Sequence, residues 1–134
     1  MKQRQKSITD FYQNLGKLFF AIAASDKVIR PEEYETLKEL ITRYWLPLKF
    51  NYATANLDIE HLILNAFECL SSDNEYDTEK YFKDFIFFKR HNENLFSAEI
   101  KTLILKTAGK IASSFSRQNK SELILLAKLS LEFK

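Results

Sequence analysis

Apolar residues recur at three- and four-residue steps along almost the whole chain, and no stretch alternates convincingly with a period of two. Side chains spaced this way share one face of an α-helix, so the pattern predicts an all-α bundle of about six helices. The first helix is expected after Ser7, with Asp10 closing a capping box, and runs to about Ser25 with Ile8, Phe11, Leu15, Leu18, Phe19 and Ile22 on its inner stripe. A second should begin at Pro31, whose fixed φ and missing N–H suit a first helical position, and should stop before Pro47. Residues 46–56 then form a connector. Further helices are expected over 57–70, over 79–91 behind the polar loop Ser71 to Thr78, from Ser97 to about Ser114, and from Asn119 to the end, where Glu122 can complete a capping box.

Composition adds limits to this picture. With 134 residues, 46% of them apolar and twelve of them Phe, one domain can bury its own core. The twenty basic and eighteen acidic side chains are interspersed, which speaks against a nucleic-acid footprint. The local exception is Lys2, Arg4 and Lys6, so residues 1–7 are expected to form a solvated basic arm. Cys69 is the single cysteine; an internal disulfide is impossible, and a reducing, cytoplasmic setting is expected. The apolar run Leu18–Ala24 follows basic residues as in an export signal, but Asp10, Gln13, Asn14 and Lys17 interrupt the approach to it. No apolar stretch is long enough for a transmembrane segment.

Two segments look alike. Ile22-Ala23-Ala24-Ser25 and Ile111-Ala112-Ser113-Ser114 lie 89 positions apart, and the same offset pairs Glu33 with Glu122, Leu37 with Leu126 and Leu40 with Leu129. The expectation is two pseudo-symmetric helix-loop-helix units. From Leu15 through the Ile-Ala-Ala-Ser-Asp elbow to Ile29 and Glu33, the sequence resembles the tellurite-resistance TerB-like helical domains. Lys27 stands where that family commonly has Gly, Arg30 where it has a capping Ser or Thr, and Phe115 replaces the Asp in the second unit. The resemblance implies a helical bundle of about this length. It also implies a link to bacterial stress and tellurite resistance, a proposed affinity for divalent cations and no general enzymatic activity.

Candidate chemistry is sparse. Asp26 and Glu33 flank the first loop and are the candidate ligands for calcium or magnesium, in a metal sensor or metal-dependent hydrolase; the stronger reading has Asp26 ordering the loop and Glu33 capping the next helix. Asp73, Glu75 and Asp77 alternate like the first ligands of an EF-hand, but Thr78 stands where the turn needs Gly, and the twelfth position is Asp84. His61 falls on the polar side of the third helix, and Cys69 lies about 12 Å along the axis from it, too far to share a metal. Gly16 and Gly109 are the only glycines, so no phosphate loop can form.

No nucleophile with a base and no cofactor motif is legible, and the expected role is a non-enzymatic interaction or scaffold module with a protein partner or a second copy of itself. On the fourth helix, the 100° rotation per residue puts Phe82, Phe85 and Ile86 inward and Phe87 outward among Lys80, Lys83, Asp84 and His91. Either the connector carrying Phe50 and Tyr52 folds over Phe87, or Phe87 anchors a partner.

Overall fold

A first helix that is apolar on every side over Leu18–Ala24 can be satisfied only at the centre of a bundle, and that is where it lies. In the computed structural model, backbone is described for residues 2–24, 31–45, 59–71, 77–113 and 120–133, and side chains for 9–24, 34–45, 60–69, 77–113 and 123–133. These residues form six helices and no strand: α1 (Lys2–Ala23), α2 (Pro31–Leu40) continued by a π-helical turn (Ile41–Trp45), α3 (Ile59–Ser71), α4 (Thr78–His91), α5 (Ala98–Ala112) and α6 (Lys120–Glu132). Helix α1 packs against α3, α4, α5 and α6. Of the expected stripe, Phe11, Leu15, Leu18, Phe19 and Ile22 are buried, and so are Tyr12, Phe20 and Ala21 on the helix's other sides.

Helix α1 starts at Lys2 rather than after Ser7. The expected basic arm of residues 1–7 is therefore helical from Lys2 onward, and Ser7 and Asp10 lie inside the helix instead of capping it. Lys, Gln and Arg are good helix formers with no breaker among them, which lets the helix extend back past the cap signal. The other starts follow their local chemistry. Asp77 accepts the Lys80 N–H at 3.0 Å to open α4, and Ser97 accepts the Ile100 N–H at 3.2 Å to open α5.

The 89-residue offset aligns element ends as well as residues: α1 ends at Ala23 and α5 at Ala112, while α2 begins at Pro31 and α6 at Lys120. Buried Ile22, Ala23 and Leu40 correspond to buried Ile111, Ala112 and Leu129.

Aromatic rings close the end of the bundle nearest the α4–α5 turn. Phe96 sits edge-on to Phe11 at 5.3 Å and to Phe85 at 5.9 Å, and Phe133 at the end of α6 approaches both Phe85 and Phe96 at 6.3 Å. This cluster docks the C-terminal turn of α6 beside α4.

Candidate functional site

Four large apolar side chains are exposed among the described residues, and all four belong to α4 or α6: Phe87 at 65%, Leu123, Ile124 and Leu131. Scattered surface leucines need no explanation, but Phe87 borders a groove of about 660 Å³ between the two helices. Phe82, Ile86 and Leu125 line its apolar part; Lys83 on α4 and Lys128 on α6 form its two rims.

Phe87 points outward, as the helical rotation predicts, and it is not covered. Its ring stacks on His91 one turn later, with centroids 4.1 Å apart and planes inclined by 30°. The His91 Nδ1 lies 2.8 Å from the Phe87 carbonyl oxygen. A carbonyl can only accept, so Nδ1 carries the proton and Nε2 is left to face other groups. The pair holds Phe87 in one orientation at the groove edge, which lowers the entropy lost when a partner packs on it. Phe50 and Tyr52, which could have folded over this ring, lie outside the described residues.

An ion cluster that includes the groove residues Arg90 and Glu132 links the ends of α4 and α6. Lys89 is buried, and its Nζ reaches the Glu93 carboxylate at 2.9 Å, the Glu132 carboxylate at 3.2 Å and the Glu132 carbonyl oxygen at 3.0 Å. Arg90 grips the same Glu132 with two hydrogen bonds, Nε at 3.1 Å and a terminal nitrogen at 2.8 Å. The Arg90 hydrogen bonds hold the Glu132 carboxyl below its ordinary range against the opposing effect of burial, and Lys89 adds to them. Burial pulls Lys89 down, yet its hydrogen bonds to Glu93 and Glu132 outweigh that and leave it raised.

Both shifts favour the charged pair. The Glu132 contribution is present above the ordinary carboxylate value of 4.5 and is lost as the pH falls through its lowered value; the Lys89 contribution is present below 10.5 and is lost as the pH rises through its raised value. Glu132→Gln should therefore cost about 1 kcal/mol near neutrality. The difference in melting temperature from the parent should shrink as the pH falls through the lowered Glu132 value. A difference that stays constant across that range would mean that the charge on Glu132 plays no part.

No family model, no curated protein and no solved structure matches this chain. Asp26 lies outside the described residues, and of Glu33 only the backbone, in the first turn of α2, is described. Asp77 of the EF-hand-like triplet is the α4 cap, whereas Asp73 and Glu75 lie outside the described residues. Among the described residues no three His, Cys, Asp or Glu side chains converge as metal ligands would.

A second cleft, of about 370 Å³ between α2 and α3, is polar and includes the exposed His61. Across it Tyr34 donates to the Glu68 carboxylate at 2.7 Å, a bond that pushes the Tyr34 hydroxyl up to about 12, with burial and nearby carboxylates adding to it. That bond is a tie between helices, and the cleft offers no apolar surface comparable to the α4–α6 groove.

Two features of this face do not follow from the inward helical stripes. Outward-facing Leu123 and Ile124 are signalled by the run Leu123–Leu126, which is too apolar for a helix with one buried side. Burial of Lys89 had no local signal, because one of its two carboxylate partners is 43 positions away.

Proposed function

We propose that this chain is a non-enzymatic interaction module that binds a protein partner through the α4–α6 groove, with Phe87 as the anchor. The observation that carries this reading is the exposed Phe87 ring, held by His91 at the edge of an apolar groove. Aromatic side chains presented in this way dominate the energetics of protein contacts. No helix among the described residues is long and apolar enough to cross a membrane. The elbow motif at Ile22 to Glu33 and the helical bundle support kinship with the TerB-like domains, and with it a place in a cytoplasmic bacterial stress or tellurite-resistance pathway. The aligned ends of α1 with α5 and of α2 with α6 support an origin by duplication.

Photocrosslinking tests the reading directly. Phe87→p-benzoylphenylalanine should give discrete adducts in cells, whereas the same residue placed at the exposed Thr102 on α5 should not. Phe87→Ala should abolish the association while leaving the unfolding free energy within about 0.5 kcal/mol of the parent. Identical adduct patterns from the two positions, or a loss of about 3 kcal/mol in the alanine variant as for a core Phe, would overturn it.

A further inference from the structure

Resting on that reading, we infer that the occupant of the groove is an acidic amphipathic helix, with an apolar stripe flanked on both sides by Asp or Glu. Charge sets the class. Two acidic groups line the groove against the cations Lys83, Arg90 and Lys128: Glu132 has both carboxylate oxygens engaged by Arg90 and Lys89, and Glu79 stands in the first turn of α4, so the lining keeps a net positive charge. Lys83 and Lys128 stand on opposite rims, one on each helix, and neither has an ion-pair partner among the described residues. Each rim thus presents an ammonium group to whatever lies between them. Between the rims the surface is apolar: Ile86 and Phe87 on the α4 side, Leu125 on the α6 side.

Ile124 and Leu131 lie outside the groove, beyond its Lys128 rim. They lie seven positions apart, on one face of α6, and flank Lys128 on the side away from the core, about 10 Å from one another along the axis. A helix lying between the two lysines with apolar residues at i, i+3 or i+4 and i+7 would meet Ile86 and Phe87 on the α4 side and Leu125 on the α6 side. Its flanking carboxylates would fall opposite Lys83 and Lys128.

Charge and shape disfavour two other occupants. A second copy docked through this face by a twofold axis would bring two uncompensated lysines from each chain together, and the like charges would repel. A bilayer is flat and insertion needs apolar side chains raised above the surface, whereas the apolar lining residues Phe82 and Leu125 lie almost fully buried within a concave groove that a helix can enter.

Selection from a displayed library of random peptides against the full-length chain, with Phe87→Ala as the counter-selection target, tests the inference. The expected winners carry acidic residues on both sides of an i, i+4, i+7 apolar stripe. Their binding should weaken with added salt and fall by about a hundredfold in the Lys83→Glu, Lys128→Glu double variant, about tenfold for each rim charge. Far-UV circular dichroism melts of that variant should match the parent, because both lysines are exposed. Winners that depend on Phe87 but are neutral or basic would overturn the acidic preference and leave the anchor reading standing. So would Phe87-dependent self-association in sedimentation velocity, or Phe87-dependent binding to phosphatidylserine vesicles. A selection that yields nothing dependent on Phe87 would overturn both.

Discussion

Replacing Trp45 with alanine is expected to lower the unfolding free energy by about 3–5 kcal/mol, the largest loss from any single side chain considered in this protein. Trp45 is fully buried at the end of the π-helical turn, with its ring 6.3 Å from Phe19 and 6.5 Å from Phe11 of the central helix. Its indole N–H donates to the Thr107 hydroxyl at 3.0 Å, and Thr107 donates onward to the Leu103 carbonyl at 2.9 Å. The loss in Trp45→Ala is mainly cavity, since Thr107 keeps its bond to Leu103. Trp45→Phe fills most of the space and should cost about half as much. Thr107→Val has a different effect: it strands a buried indole N–H, for about 1–3 kcal/mol. Urea melts followed by circular dichroism measure all three. A Trp45→Ala loss below about 1 kcal/mol would show that the end of α2 does not dock between α1 and α5. Trp45 is the only tryptophan, so in the Thr107 variant its fluorescence reports the same site independently.

The π-helical turn that places Trp45 marks a limit of sequence reasoning. Pro31, Leu37 and Leu40 made α2 legible, and Pro47 made its end legible, but nothing in Ile41–Trp45 distinguishes an i to i+5 turn from an ordinary last turn. The turn carries Trp45 to a Thr hydroxyl 62 residues away, a pairing that no local pattern encodes. Local signals fared best where local chemistry decides, as at Ser97, whose hydroxyl caps α5 as expected. They failed at Ser7, because a capping residue competes with helix propensity on both sides of it, and Lys2 to Lys6 supply that propensity.

For the candidate site the division is similar. The outward position of Phe87 follows from rotation alone and was legible. That α6 lies beside it, and that Lys89 and Arg90 clamp α6 through Glu132, depends on pairings more than 40 positions apart, which no helical period encodes. The groove is therefore a product of tertiary packing: α4 and α6 each carry a partly apolar outer face, and only their adjacency converts these into one concave surface with a lysine on each rim.

The two glycines should respond in opposite directions to the same substitution. Each lies within a helix, Gly16 in α1 and Gly109 in α5, so helix propensity alone assigns alanine a gain of about 1 kcal/mol at both. At Gly109 nothing lies within 4 Å of an added Cβ, and Gly109→Ala should deliver that gain. At Gly16 the added Cβ would stand 2.6 Å from the Ile63 carbonyl oxygen and 2.7 Å from the Ala66 Cβ. Those are rigid parts of α3, not the far end of a flexible side chain, so α1 and α3 must move apart to admit one methyl group. Overpacking of this kind costs about 3 kcal/mol, which outweighs the propensity gain and leaves Gly16→Ala destabilised by about 2 kcal/mol. The two variants should then differ by about 3 kcal/mol in chemical denaturation, with opposite signs relative to the parent. Equal gains at both positions would mean that α3 is free to withdraw from α1. The close approach at Gly16 would then be incidental to the bundle, not the contact that sets the spacing of its central pair of helices.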